Sequence, residues 1–405
     1  MEISKHQSQS PSSQPRLPPN QLLNLPKSDS QVKLLMELIA ISGEYPANNI
    51  HRIIPSQSYA KKAIASLIAD RLLKQVNKGG VRGYRLELKA KRQLLSENRV
   101  RYKDYLEGAT DTNKQRSDHP RRLRLHSVAE VYTLMLGAKV QIFKDLKPRI
   151  YQFDEPAISL PSNSSQSPIK SPELKITTPC FYSSREQKGE DDKAIRGSRA
   201  VGTLLTPTHV FAVYNTGNTE SQWYESVEAR YNAEVQAYIC RKRLLTQYKG
   251  EAVGGIMIGE NLDILHKYLT AETKTGNIHD FFAKIYQPFY FITNDQYGEA
   301  LLRILNDNDK ITELISGTLR NYLPHNPKHH IEHDAMTTDG NPVLFCFLLN
   351  IPRLVKFKTG IHLYEETGRV ITFDFQEDIL RKYLGEGVEI KTLNLKKLMT
   401  RFFPN

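Results

Sequence analysis

The chain has 405 residues, of which 39% are hydrophobic and 25% charged, a composition typical of a soluble globular protein with roughly two or three domains. Its formal net charge is +12. The three cysteines lie far apart, the N-terminal segment has no apolar stretch, and no apolar run approaches the roughly 20 residues of a membrane span. These features argue against disulfide-scaffold, secreted and membrane proteins. They predict a cytoplasmic protein with nucleic acid as its partner.

The first part of the chain reads as a tail followed by a compact helical module. Residues 1–30 contain five prolines and seven serines but no aromatic residue, which predicts a disordered tail. Apolar spacing from Gln31 predicts a helix that ends at Gly43. A short element at 48–54, a helix from Ser56 to about Lys74 and two strands around a Gly-Gly turn follow, and residues 90–106 return to helix.

This order of elements resembles a winged helix-turn-helix, which we place at residues 31–107. In that family the third helix enters the major groove and the wing contacts the DNA backbone or minor groove. Residues 31–92 carry twelve basic and four acidic residues, so the positive charge is concentrated here. The alternative is a winged helix that contacts protein, with basic side chains that are only solvated. The predicted DNA-binding residues are Gln57, Ser58, Lys61, Lys62, Arg82 and Arg85.

The rest of the chain is predicted to form an α/β domain at residues 126–405. A polar stretch that ends in a basic cluster predicts a linker at 108–125, and a Pro/Ser-rich stretch predicts a flexible insertion at 156–179. From residue 180 onwards, apolar strands alternate with helices, which predicts a mixed, mostly parallel sheet covered on both faces. The predicted fold class is therefore α+β and multidomain. We find no internal repeat in the sequence.

Motifs for catalysis are sparse. The chain has no phosphate-binding P-loop, and the histidines at 325, 329, 330 and 333 are interrupted by prolines, so we predict a solvated loop and no metal site. Glu186 and Lys188 form an E-x-K pattern that resembles the restriction-endonuclease-like superfamily, in which two carboxylates bind Mg²⁺. The candidate second acid is Asp154 or Glu130. Because neither has the usual short spacing, we predict a catalytically silent domain that needs no cofactor, with Mg²⁺ required only if it is a nuclease.

Several short sequence segments together resemble the replication-relaxation family of plasmids and integrative conjugative elements. They lie at 183–188, 197–202, 212–217, 223, 291–294 and 373–376. The resemblance spans most of residues 31–400 and supplies no catalytic residues. Ser198-Arg199 and Tyr214-Asn215 either line a groove or shape turns.

The resemblance implies a DNA-binding accessory protein for plasmid replication, relaxation or conjugative transfer. Its partners would be double-stranded DNA and relaxase, replication or transfer proteins, and no membrane is expected. Two alternatives stay open, namely a Mg²⁺-dependent endonuclease and a transcriptional regulator whose α/β domain senses a ligand.

Overall fold

A computed structural model gives the fold of residues 30–108, 118–151, 174–187, 197–218, 224–270, 272–273 and 276–404. Within these ranges the protein is a mixed α/β structure, in which helices near the N-terminus precede two mixed sheets. The predicted tail lies outside the described residues except for Ser30, whose hydroxyl accepts a hydrogen bond from Lys33 N–H and caps the first helix.

The N-terminal unit consists of residues 31–106. Its three strands form an antiparallel sheet in the order β1-β3-β2, and a 3₁₀ helix, Ala47–Arg52, precedes α2. Its elements are α1 (Gln31–Ser42), β1 (Tyr45–Pro46), α2 (Gln57–Ala69), β2 (Leu73–Lys78), β3 (Val81–Leu86), α3 (Leu88–Glu97) and α4 (Arg99–Leu106). The predicted elements occur in the predicted order, and strand β1 is an additional element that the sequence analysis did not include. The bounds differ at Arg71, whose positive φ of 55° ends α2, and at Asn98, whose side chain caps α4 and divides one predicted helix into two.

Helix α5 (His119–Gly137) joins the N-terminal unit to the rest of the chain. It packs against α1, β1 and β3 on one side and against the first sheet of the α/β part on the other. The predicted linker at 108–125 is therefore wrong from His119 onwards, and residues 109–117 lie outside the described residues. The predicted linker included Pro120. Proline in the first turn of a helix removes no intrahelical hydrogen bond, so Pro120 is compatible with the start of α5.

The first sheet of the α/β part has five strands in the order β4-β5-β6-β7-β10. Strands β4, β5 and β6 run antiparallel, while β6, β7 and β10 run parallel. In chain order its elements are β4 (Cys180–Ser183), β5 (Ala200–Leu205), β6 (Val210–Gly217), α6 (Glu225–Val235) with a π-helical continuation (Gln236–Arg243), β7 (Gly254–Gly259), α7 (Leu262–Thr270), the ribbon strands β8 (Glu272–Thr273) and β9 (Gly276–Asn277), α8 (Ile278–Ile285) and β10 (Phe289–Thr293).

Helices α9 (Gln296–Leu305) and α10 (Asn308–Leu319) lead to a second five-stranded sheet. Its order is β11-β12-β13-β14-β15, with the first three strands antiparallel and the last three parallel. Its elements are β11 (Leu323–Pro324), β12 (Ala335–Met336), β13 (Pro342–Phe345), α11 (Ile351–Tyr364), β14 (Gly368–Phe373), α12 (Glu377–Leu384), β15 (Val388–Leu393) and α13 (Leu395–Phe402). The prediction of a mixed sheet is confirmed. The prediction of one mostly parallel sheet is wrong, because half of the strand pairs in each of the two sheets are antiparallel.

The two sheets share one topology, a three-stranded antiparallel meander followed by two parallel strands that are reached through helices. The helix after the fourth strand also repeats in sequence. Residues 263–269 and 378–384 both read D-I-L-x-K-Y-L, with six of seven positions identical. The Ile, Leu, Tyr and Leu side chains are buried in both copies. The internal repeat that the sequence analysis did not find is therefore present, and it is concentrated in α7 and α12.

Opposite faces of the first sheet pack against different parts of the chain. Phe211 and Val213 of β6 point toward the N-terminal unit and α5, whereas Ala212 and Tyr214 point toward α6, α7 and α8. This alternation follows from the two-residue period of a strand. Of the predicted insertion at 156–179, residues 156–173 lie outside the described residues. In the described part, Ile176 is buried and its N–H donates to Gln247, so the prediction of a flexible insertion is wrong for residues 174–179.

Candidate nucleic-acid interface

Helix α2 is attached to the protein by a narrow apolar stripe. Ser56 Oγ accepts a hydrogen bond from Tyr59 N–H at its start, and its buried residues are Ala60, Ile64 and Leu67. The spacing of these three matches one helix face. The predicted DNA-binding residues Gln57, Ser58, Lys61 and Lys62 are all exposed. Most of the surface of α2 is therefore open to a partner.

Strands β2 and β3 form a hairpin that projects beside α2. Lys78 pairs with Val81 across the two-residue turn Gly79-Gly80, and both glycines have positive φ, 60° and 76°. Two such residues are what a type I′ turn requires, and this turn matches the twist of the two strands. Four of the six residues of β2 are exposed.

Arg82 lies on the same side of the hairpin as α2. Residues an even number apart on a strand share a face, so Arg82 and Leu86 of β3 lie on the same face of the hairpin. Leu73 of β2 lies on that face too, because it pairs with Leu86 across the strands. Leu73 and Leu86 belong to the apolar core that includes Ile64 and Leu67 of α2. Exposed Lys61, Lys62 and Arg82 are hereafter the basic face. No carboxylate among the described residues forms an ion pair with them.

The structure does not place Arg85 on the exposed surface that its predicted role in DNA binding requires. Arg85 is 4% exposed and its guanidinium lies 2.7 Å from the Glu44 carboxylate. Residues three apart on a strand point to opposite faces, so Arg82 and Arg85 cannot both be on the outer surface of the wing. The sequence analysis placed both there by counting charges without applying the strand period.

Glu44 is the centre of a buried charged cluster with Arg85, Arg122 and His126. Arg122 is fully buried, donates to Glu44 at 2.5 Å and also donates to the carbonyl oxygens of Val76 and Lys78. His126 Nε2 is 2.9 Å from Glu44. Burial alone would raise the pKa of Glu44. Hydrogen bonds with His126, Arg122 and Arg85 outweigh this effect and lower the pKa to about 2. The Glu44 carboxylate therefore stays ionised, and the cluster joins α5 to the β2–β3 hairpin.

The predicted nuclease site is not assembled among the described residues. Asp154 and Lys188 lie outside them. Glu186 is paired with Lys147 at 2.7 Å, and its second oxygen accepts hydrogen bonds from the backbone and hydroxyl of Ser183. Lys147 Nζ also donates to the carbonyl oxygens of Ile142 and Phe181. Both oxygens of Glu186 are thus engaged by protein donors, an arrangement typical of a buried structural ion pair.

The other candidate acid, Glu130, lies in a different environment. It accepts hydrogen bonds from Asn49 of the N-terminal unit and Asn215 of β6, and burial raises its pKa.

Ser198 and Tyr214 both donate to Glu228, as does the N–H of Arg199. The sequence analysis did not select Glu228, a buried residue that holds the start of β5 against α6.

In the histidine group His325 and His330 are exposed, as a solvated loop predicts, whereas His333 is buried. Buried His333 donates from Nδ1 to the Ile331 carbonyl and accepts from Asn326 N–H, which uses both ring nitrogens. Within the described part of the chain, no three His, Cys, Asp or Glu side chains are arranged to hold a metal ion. The three cysteines are buried and unpaired.

No protein-family model matches the chain, and neither a curated protein nor a solved structure shows significant similarity to it. In the described ranges, no helix combines the length and the apolar character needed to cross a membrane. Function must therefore be argued from the geometry of the chain itself.

Proposed function

We propose that the N-terminal unit is a winged helix that binds double-stranded DNA, with α2 in the major groove and the β2–β3 hairpin as the wing. The observation that carries the proposal is the basic face. Three cations without carboxylate partners among the described residues form it: Lys61 and Lys62 on α2, a helix held by only three buried residues, and Arg82 on the neighbouring strand β3. Cations in this arrangement suit phosphate contacts, which position a protein on the duplex.

The start of α2 adds to this electrostatic attraction. Lys61 and Lys62 lie in the second turn, next to the unsatisfied N–H groups of the first turn that give the helix a positive end. Gln57 and Ser58 are exposed in the first turn and carry side-chain donors and acceptors that suit base edges. The lysines would supply affinity, while the polar residues would supply sequence preference.

The resemblance to the replication-relaxation family supports a more specific proposal, an accessory protein for plasmid replication, relaxation or conjugative transfer. In this proposal the two α/β sheets act as a platform for partner proteins. The engaged carboxylate of Glu186 supports a role without DNA cleavage.

The proposal can be tested by fluorescence anisotropy with a labelled duplex from the intergenic DNA of the source element. The variant K61A/K62A/R82A removes the basic face and should bind at least about tenfold more weakly at moderate salt, because each lost phosphate contact reduces counterion release. The matched control is K249A/K328A/K397A, which removes the same charge from three exposed lysines elsewhere. Equal loss of binding in both variants would contradict the proposal.

A further inference from the structure

A polar cleft of about 450 Å³ opens beside α7, where α7 packs against α12. These are the two helices that carry the repeated sequence D-I-L-x-K-Y-L. The cleft is on the face of the first sheet that is covered by α6, α7 and α8, opposite to the N-terminal unit. It is lined by Asn218, Asn261, Asp263, Ile264, His266, Lys267 and Lys382.

Positive charge dominates this cleft. Lys267 and Lys382 are exposed, and no ion pair involves either of them in the ranges that the structure describes. Burial, Lys382 and Lys358 all lower the pKa of His266, so a third lysine is within electrostatic range. Asp263 is the single carboxylate among the lining residues. Like charges that line one cleft repel one another, and a bound anion would relieve that repulsion.

The internal repeat gives an independent reason to assign a role to the two lysines. In both helices the Ile, Leu, Tyr and Leu positions are buried, so packing explains why they recur. Lys267 and Lys382 occupy equivalent positions of the repeat and are exposed, so core packing does not explain their recurrence. Both line the same cleft.

The position and lining of the cleft indicate which anion it suits. Asn218 and Asn261 follow the carboxyl ends of the parallel strands β6 and β7, the edge at which α/β sheets bind ligands. Asn261 Oδ1 caps α7 by accepting from Asp263 N–H, and its amide group is a donor. The lining has no Phe, Tyr or Trp ring on which a base could stack, and proteins that hold single-stranded bases commonly use such rings.

We propose that the α7–α12 cleft binds the phosphate backbone of a nucleic-acid segment, at a site separate from the basic face. Lys267 and Lys382 are the principal contacts, and the asparagine amides donate to phosphate oxygens. Binding at the cleft does not depend on the winged helix. The consequence that one molecule holds two segments on opposite faces of the first sheet does rest on the proposed function.

The test uses the full chain and a labelled duplex. In the K61A/K62A/R82A background, residual binding should persist, with a logarithmic salt slope of about −2, as expected for two phosphates at about −0.9 each. Adding K267A/K382A should abolish it. The control K396A/K397A makes the same change in charge on α13, which packs on the second sheet, and should preserve residual binding. Circular dichroism and melting temperature should match across the set.

Each outcome decides between the possibilities. No residual binding in the triple variant, or residual binding that survives K267A/K382A, overturns the cleft proposal. Wild-type affinity in the triple variant contradicts the proposed winged helix. The cleft proposal can still be tested in that case, by comparing K267A/K382A with the wild-type protein. If inorganic phosphate raises the melting temperature through these two lysines while no duplex binds, the cleft is a free-phosphate site and the nucleic-acid proposal fails.

Discussion

Arg122 and Glu44, which are 78 residues apart in the sequence, form a fully buried ion pair with a nitrogen–oxygen distance of 2.5 Å. The same guanidinium donates to the carbonyl oxygens of Val76 and Lys78 in β2. Helix α5 therefore holds one strand of the β2–β3 hairpin, while Glu44 comes from the segment after α1. This buried contact helps to fix the position of the hairpin.

Arg122→Ala should destabilise the protein by about 3–5 kcal/mol, because it leaves the Glu44 carboxylate buried without one of its partners. The free energy of unfolding in urea measures this effect. Arg121→Ala is the control, since Arg121 is exposed one position away on the same helix, and it should change stability by less than about 0.5 kcal/mol. Equal stability of the two variants would show that the cluster does not support the fold.

Stability should also fall in acid through Glu44. Its pKa is about 2 in the folded protein, against 4.5 for the ordinary side chain. A carboxyl with a lowered folded pKa stabilises the protein above its unfolded pKa, and this contribution is lost as pH falls through the folded value. The loss should therefore lie between about pH 4.5 and 2, with a size of about 3 kcal/mol. Glu44→Gln should lack this component in urea unfolding series over that range, and an unchanged acid profile would contradict it.

The order of elements in the N-terminal unit could be predicted from sequence because its signals are local. Ser56, the Gly79-Gly80 turn and the apolar stripe of α2 each act over a few residues. The Glu44 cluster could not be predicted, because its members come from three elements that meet only in the folded chain. Strands β11 and β12 have two residues each, too few to show a period, so the second sheet and its repeated topology were missed.

The register of β3 could have corrected the prediction for Arg85. A two-residue period places Arg82 on one face and Arg85 on the other, and apolar Tyr84 and Leu86 show which face is turned to the core shared with α2. What sequence could not show is that the opposite face is also covered, since this depends on α5 supplying Arg122 and His126. A basic count alone therefore overstates the exposed charge of the wing.

Glu186→Ala should leave DNA binding intact, and neither wild type nor variant should nick supercoiled plasmid in Mg²⁺, because protein donors engage both carboxylate oxygens. The change should instead destabilise the protein by about 3–5 kcal/mol, since it removes the carboxylate partner of the buried Lys147 ammonium. Urea unfolding measures this loss, with Glu225→Ala at an exposed position as the control. Mg²⁺-dependent nicking by wild type that disappears in the variant would establish the endonuclease alternative.

The salt dependence of DNA binding should separate the exposed basic face from buried Arg85. If Lys62 and Arg82 each neutralise one phosphate, K62A/R82A should flatten the slope of log affinity against log salt by about two units. Both side chains are exposed, so the free energy of unfolding of the double variant should differ from that of wild type by no more than about 0.5 kcal/mol per site.

Arg85→Lys is the matched comparison for that experiment. It keeps the charge but replaces the guanidinium, two of whose nitrogens contact Glu44, with a single ammonium group. It should lower stability and leave the salt slope of the folded fraction unchanged, because a group that is 4% exposed has no access to phosphate. Anisotropy titrations at several salt concentrations measure both slopes. A folded K62A/R82A protein with the wild-type slope would mean that the basic face is only solvated, since lost phosphate contacts must reduce counterion release.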